Sequence, residues 1–291
     1  MLPNFIIAGA QKSGTTALHR YLSQHPDVFL AERPEYIFWV NTEVHFFDRN
    51  FEKGVGWYEA FFKQWNGEKA AGEKTPDYVY DPQVPERMHS VIPEVKLIFL
   101  FRNPVDRAYS HYWMIFKRGL ETLPFAKAIR AEEERRETLQ HDRLTFQRLY
   151  SYKDRGKYAE QVKRFLRYFP RSQLLFLLAE DLKENTEETV KKVLDFINAD
   201  TDVTFPDLEK KHVGGMPRSH ALLRLLRNDT IRSSRLLRKA IMKVNTKKGK
   251  KPPMNPETRR YLQEYFRECN KELEDITGLN VSCWRDTDGK K

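Results

Sequence analysis

Four stretches of the chain carry side chains whose types and spacing suit acid–base or anion chemistry. The first is Glu43-Val44-His45-Phe46-Phe47-Asp48, where polar residues interrupt bulky apolar ones. Glu43 and His45 are two apart, so an extended backbone would place them on one face. A carboxylate beside an imidazole fits an acid–base pair; a Glu–His salt link at a sheet edge is the plain alternative. The second runs from Gly9 to Thr16, GAQKSGTT, after the apolar run Phe5-Ile6-Ile7-Ala8. A buried strand, a glycine-bounded loop and a helix start converge backbone N–H groups on one point, and the helix dipole adds partial positive charge there. Lys12 adds a point charge inside the loop. The plain alternative is an ordinary strand-to-helix turn with a stray lysine. The third is Arg102, directly after the run VKLIFLF over 95–101, with Ser110 in the helical stretch that follows. The fourth is Glu73-Lys74-Thr75-Pro76-Asp77-Tyr78, read as a polar loop with a turn-forming proline.

The loop keeps the frame of a nucleotide-triphosphatase P-loop, G-x-x-x-x-G-K-[ST], but moves its cation. Thr15 stands at the usual lysine position, and Lys12 falls two residues before Gly14. Such a loop still suits a phosphate-like group. Many P-loop enzymes end a central strand on an aspartate that holds Mg²⁺. Here that position is Arg102. A cation at that point suggests direct binding of an anion, and a salt bridge to a carboxylate is its plain alternative. No stretch has metal-ligand spacing. A nucleotide kinase is the alternative enzyme class, but it would want a lysine at Thr15 and an acid near the end of VKLIFLF.

The elements that must position these residues follow from periodicity. VKLIFLF is a continuous apolar run, as expected of a central parallel strand covered on both faces. Residues 5–8 and 174–178 read as further buried strands and 28–30 as a short one. Amphipathic or charged helices are expected after Gly14, over 81–90, after Pro104, and over 123–140, 158–169, 186–197, 222–241 and 256–273. WYEAFFKQW, opened by Gly54 and Gly56, reads as an aromatic helix. Residues 32–40 read as an irregular aromatic loop. His212 sits in a loop and is either structural or acceptor-facing. No internal repeat or clear boundary is visible. The expectation is one α/β domain over 1–284, a P-loop-like central parallel sheet flanked by helices, and a disordered tail over 285–291.

Composition bounds the rest. The 291 residues are 40% hydrophobic and 13% aromatic, which argues for a folded chain with a full core. No run is long enough for a membrane span or a signal peptide. The chain therefore reads as cytoplasmic, or as a soluble catalytic domain cut from an anchored parent. Cys269 and Cys283 read as free thiols, with one bridge possible. Between positions 217 and 251 there are twelve Lys or Arg against one acid, Asp229, so that stretch carries +11 and the rest of the chain sums to about −1 against a net charge of +10. Such a field attracts anions, while a solvated basic helix face is the bland reading. A nucleic-acid-binding module could use it, but no nucleic-acid motif is present and it would leave EVHFFD and EKTPDY without a purpose.

With these pieces in hand, the chain resembles sulfotransferases that use 3′-phosphoadenosine 5′-phosphosulfate (PAPS). It is most similar to the heparan sulfate branch: the glucosaminyl 3-O-sulfotransferases and the sulfotransferase domain of the N-deacetylase/N-sulfotransferases. The matching pieces are GAQKSGTTAL with HPDV, then EVHFFD, GWY, EKTPDY, RNPVDRAYSHY, RFLRYFP and KKGKKPP, in the family's order from Leu2 to about Trp284. The resemblance implies the sulfotransferase fold and sulfuryl transfer to an acceptor hydroxyl, with N-sulfation of an amine as the alternative; His45 leans toward oxygen. It implies that Lys12, Ser13, Gly14, Thr15 and Thr16 bind the 5′-phosphosulfate and that Arg102 and Ser110 grip the 3′-phosphate. It makes Glu43 the catalytic base, with Lys12 at the leaving oxygen. His45, Asp48 and Lys74 would lie at the acceptor, where His45 and Lys74 could orient Glu43 or the acceptor. Lys247-Lys248-Gly249-Lys250-Lys251 resembles a basic glycine loop that closes over the cofactor. The family's cysteine pair before that loop has no counterpart, so its disulfide is not carried over. No metal or redox cofactor is implied. The acceptor is expected to be a glycan, or else a small metabolite.

Overall fold

The computed structural model describes residues 1–31, 43–202, 215–219, 222, 234–249 and 251–285. The aromatic loop over 32–40, His212, Lys250, most of the 222–241 stretch and nearly all of the tail lie outside them. The chain divides into two compact units, interleaved along the sequence: 1–103, 157–209 and 268–291 form one, 104–156 and 210–267 the other. Because each unit is assembled from separate segments, no composition shift marks its edges.

The first unit is built on five parallel strands: β1 (Phe5–Gly9), β2 (Val28–Leu30), β3 (Ala70–Lys74), β4 (Lys96–Phe101) and β5 (Leu174–Leu178). Their order is β2-β3-β1-β4-β5. Strand side chains alternate between faces, so each central strand feeds two cores. Ile6 and Ala8 of β1 pack with Leu97, Phe99 and Phe101 and with Val162 and Phe165 of the helix Tyr158–Leu166. Phe5 and Ile7 pack on the other side with Ile98 and Leu100, with Leu18 and Leu22 of α1 (Thr15–Leu22), and with Val190, Val193 and Leu194 of the helix Thr186–Phe196. The register sets Ile7 beside Lys74 and beside Ile98. The carboxyl ends of β1, β3 and β4 therefore reach the same edge of the sheet, where open parallel sheets bind ligands.

One correction concerns Glu73 and Lys74. They do not begin a polar loop but end β3, and both are buried. Burying a carboxylate is costly unless it is hydrogen-bonded. Glu73 Oε1 accepts from Tyr58 Oη at 3.0 Å and Tyr78 Oη at 2.8 Å, and Oε2 accepts from Thr75 Oγ at 2.6 Å. Burial nevertheless raises the Glu73 pKa, even with these three donors opposing it. The Tyr78 hydroxyl also accepts from the backbone N–H of Phe46 at 2.8 Å. Strand β3 and its turn thus anchor the segment that carries Glu43 and His45. An aromatic cluster of Phe46, Phe47, Tyr58 and Tyr78 closes around this junction, with Phe46 stacked 4.4 Å from Tyr58.

The second unit is helical. The helix Pro104–Lys117 buries Val105, Ala108, Tyr112 and Trp113 against Phe125, Ile129, Leu262 and Phe266. The helix expected over 123–140 is two helices, Phe125–Arg130 and Glu132–Thr138. Buried Glu121 accepts from Arg135 at 2.7 and 3.0 Å and from the Tyr152 hydroxyl at 2.8 Å. A short antiparallel pair, Gly215–Pro217 with Thr246–Lys248, sets Gly215 opposite Lys248. Among the described residues, no helix is long and apolar enough to cross a membrane, and both cysteines are free thiols.

Replacing Tyr78 by Phe keeps the ring but strips Phe46 N–H of its acceptor and Glu73 of a donor. The expected cost is about 1–3 kcal/mol in urea unfolding. An unfolding midpoint equal to that of the parent chain would contradict this anchoring role.

Candidate active site

The loop after β1 is shaped by two residues with positive φ, Lys12 at 73° and Gly14 at 99°. Gly14 caps α1 in the left-handed region without a side-chain hydrogen bond to the helix. The first-turn N–H groups of a helix lack intrahelical acceptors, so the start of α1 is open to an anion. Ser13 is 1% exposed, and among the described residues its hydroxyl has no hydrogen-bond partner. A buried hydroxyl left unpaired beside a helix start fits a site that takes an oxyanion. At the end of β4, Arg102 Nη1 donates to the Lys12 carbonyl at 3.3 Å, and Tyr158 holds the Arg102 carbonyl at 3.0 Å. The strand end that would carry a metal-binding acid in a P-loop kinase therefore presents a guanidinium against the loop.

On the acid–base side, the structure differs from the extended backbone expected for Glu43 and His45. His45 is left-handed, φ 56° and ψ 40°, at the N-terminus of a short helix, α2 (Phe46–Arg49). Its backbone N–H donates to Thr75 Oγ at 3.3 Å. The pair still meets: His45 Nε2 lies 3.1 Å from Glu43 Oε2, and Nδ1 lies 2.9 Å from Asp48 Oδ2. Lys74 Nζ is 3.6 Å from Glu43 Oε1. One carboxylate is thus flanked by an imidazole and an ammonium.

The charges follow from this packing. Burial pushes the His45 pKa down, but hydrogen bonds to Asp48 and Glu43 outweigh it and raise the pKa to about 9. At neutral pH His45 is an imidazolium that donates from both nitrogens. Burial pushes Glu43 up, yet the His45 hydrogen bond and the Lys74 charge bring it below the usual carboxylate range. Glu43 is therefore ionised. His19, on α1, is neutral: burial and then the Lys74 charge lower its pKa to about 4.

Spacing alone did not reveal three further participants. Arg49 pairs with Asp48 at 3.3 Å and with Asp77 at 2.5 Å, and its Nη1 approaches His45 Nε2 at 3.2 Å. Gln11 Nε2 donates to Asp77 Oδ1 at 3.2 Å. Arg49 and Asp77 are separated by 28 positions, and nothing in their flanking residues announces the pairing. His45, Asp48 and Asp77 offer donor atoms within 4.8 Å of one another, a spacing that suits a cation. The Arg49 guanidinium touches all three and supplies that charge.

Ser110 belongs to the second unit. It is buried on the helix Pro104–Lys117, and Lys251 Nζ donates to its hydroxyl at 3.4 Å. Tyr109 on the same helix donates to the Pro252 carbonyl at 2.9 Å. The chain just beyond the basic glycine loop therefore lies on the helix that bears Ser110. Gly249 is exposed; the Lys248 side chain and Lys250 lie outside the described residues.

Residues 2–277 match the family model described as Sulfotransferase domain. The chain belongs to the sulfotransferase family and is a PAPS-dependent sulfotransferase. Heparan sulfate glucosamine 3-O-sulfotransferase 6 of Homo sapiens is 31% identical over 288 residues, spanning 95% of this chain and 72% of that protein. Bifunctional heparan sulfate N-deacetylase/N-sulfotransferase 4 of Mus musculus is 30% identical over 283 residues, 94% of this chain but 30% of that protein. A sulfotransferase crystal structure from Alicyclobacillus acidocaldarius superposes with a TM-score of 0.71 at 29% identity, covering 98% of this chain and 100% of that one. The parallel sheet flanked by helices is the sulfotransferase fold, and family membership sets the kinase alternative aside.

A raised His45 pKa has a consequence for stability. The ion pairs of His45 stabilise the fold fully below its unfolded pKa, near 6.5, and that contribution is lost as pH rises through about 9. The stability difference between the parent chain and His45→Gln should shrink by at least about 1 kcal/mol between pH 6.5 and 9.5. A difference that stays constant across that window would contradict a charged His45.

Proposed function

We propose that the protein moves a sulfuryl group from PAPS to an acceptor hydroxyl by in-line displacement, with Glu43 as the base. The observation that carries this reading is the Glu43 carboxylate, ionised and held between His45 Nε2 at 3.1 Å and Lys74 Nζ at 3.6 Å. When bound, the donor supplies an activated sulfuryl group and leaves as 3′-phosphoadenosine 5′-phosphate. The unpaired Ser13 hydroxyl and the start of α1 fit its 5′-phosphosulfate, with Lys12, Gly14, Thr15 and Thr16 as the other members of that cradle. Arg102 is assigned to the 3′-phosphate. Within the second unit, Ser110 and Lys251 offer a hydroxyl and an ammonium, donors suited to a phosphate.

Each residue's task follows from charge. The acceptor oxygen loses its proton as its bond to sulfur forms, and the proton grows more acidic as that happens. A carboxylate of low basicity can then accept it, provided it is ionised beforehand. His45 fixes one Glu43 oxygen and leaves the other facing Lys74. Lys12 and the loop amides offset negative charge on the departing phosphate oxygen, a task that depends on donors already in position. Arg49 gives the acidic cluster its cation, which favours a reaction without a metal.

A carbohydrate acceptor is favoured. Relatives that match most of the chain are named as acting on heparan sulfate glucosamine, and the stretch 217–251 is strongly basic. An anionic glycan would suit that field. The second reading, N-sulfation of an amine, draws on the N-deacetylase/N-sulfotransferase relative. An ionised Glu43 suits proton removal from a hydroxyl.

Glu43→Gln keeps the shape of the side chain and removes its basicity. Transfer to a panel of hydroxyl acceptors should fall by about a hundredfold or more, while calorimetric affinity for 3′-phosphoadenosine 5′-phosphate stays within about twofold. Near-normal turnover in that variant would refute the assignment, and a panel that yields only sulfamates would move the reaction to nitrogen.

A further inference from the structure

Asp77 has no task in the reaction as derived above, yet it touches both sides of the site. It is 7% exposed, and its two carboxylate oxygens face different neighbours. Oδ1 accepts from Gln11 Nε2, the residue next to Lys12 in the anion loop. Oδ2 holds Arg49 Nη2. The other end of the same guanidinium, Nη1, lies 3.2 Å from His45 Nε2, the nitrogen that also faces Glu43.

That last contact cannot be a hydrogen bond while His45 is protonated, because Nε2 then has no lone pair to offer. It is two cations in close approach inside a pocket of reduced dielectric, where like charges repel strongly. The arrangement persists only if Arg49 is restrained and its charge balanced from elsewhere. Asp48 does part of this, at 3.3 Å from Arg49 Nε, but the same Asp48 oxygen also takes His45 Nδ1. Asp77 is the acid that faces Arg49 without also holding the imidazole.

We propose that Asp77 is a positioning residue for sulfuryl transfer: by restraining Arg49 it keeps His45 charged and paired with Glu43, and through Gln11 it ties that pair to the loop bearing Lys12. The inference rests on the reading of Glu43 as base and His45 as its partner. It gives the site a single connected chain of contacts, from Gln11 through Asp77 and Arg49 to His45 and Glu43. The base side and the anion loop are thereby held in one register, the condition an in-line displacement needs. Among the described residues, the charged or titratable groups around His45 are Glu43, Asp48 and Arg49 in its own segment, Glu73 and Lys74 from β3, and Asp77 and Tyr78 from the following turn. Glu73 and Tyr78 are fully buried and engaged with each other. Lys74 pairs with Glu43. Among the described residues, Arg49 is thus the cation in contact with His45, and Asp77 sets where it sits.

The test follows the His45 ring by proton NMR, its signal assigned by its loss in His45→Gln. In the parent chain the ring should titrate near pH 9. Asp77→Asn, nearly isosteric, should lower that midpoint by about one unit or more, because Arg49 is left uncompensated beside the ring. The double variant Arg49→Met/Asp77→Asn should return it toward the parent value. Arg49→Met alone, which retains Asp77 and removes the repulsion, should raise it, and it serves as the test if Asp77→Asn does not fold. An unmoved midpoint in Asp77→Asn, a double variant that keeps the full shift, or an Arg49→Met midpoint that fails to rise would each overturn the proposal. The pH profile of kcat, measured alongside, tests the underlying reading separately. If its alkaline limb moves with the ring midpoint, His45 acts in the reaction. If the ring midpoint moves as expected and the profile stays fixed, Asp77 restrains Arg49 as proposed and it is the Glu43–His45 base that fails.

Discussion

A carboxylate that is to take a proton must wait in its ionised form, and ionised carboxylates resist leaving water. On the proposed reading of Glu43 as the base, that constraint organises the first unit of this protein. Glu43 is 21% exposed, close enough to the surface to meet an acceptor and buried enough to need compensation. Two cations, His45 and Lys74, supply it. Each cation is then a burden of its own: His45 is charged because Asp48 and Glu43 hold both its nitrogens, and Lys74 is 1% exposed at the end of a strand. The balance widens from there to Arg49, Asp48 and Asp77.

The fold supplies the rigidity this balance requires. Strand β3 ends on Lys74 and also carries Glu73, which ties the hydroxyls of Tyr58, Thr75 and Tyr78 together beneath the site. Tyr78 and Thr75 in turn take the backbone N–H groups of Phe46 and His45, the residues at the start of α2. The left-handed turn at His45 is therefore held by strand-side hydroxyls and not by helix propensity. Parallel register alone brings the anion-type loop after β1 to the same edge as Lys74, and Arg102 reaches back to the Lys12 carbonyl.

The features legible in sequence were those that depend on short-range pattern. The apolar run before Arg102, the strand before the glycine loop, the buried strand at 174–178 and most long helices follow from periodicity. So did the meeting of Glu43 and His45, although the extended geometry expected for it was wrong. Strand β3 escaped notice because AAGEK is small and charged, and only three buried hydroxyls make Glu73 tolerable there. The Arg49–Asp77 pair, 28 positions apart, depends on tertiary placement, which carries no local signature. The division into interleaved units is hidden for the same reason, since each unit is assembled from separate stretches of the chain.

The cofactor class is the claim on which the remaining chemistry stands, and calorimetric binding of 3′-phosphoadenosine 5′-phosphate tests it most directly. The titration would be run with and without Mg²⁺, against ATP as competitor, and repeated on Arg102→Ala. Binding that ignores the metal, is barely disturbed by ATP and is lost in Arg102→Ala is the result this account predicts. Metal-dependent binding of ATP, with no response to the 3′-phosphate compound, would contradict it.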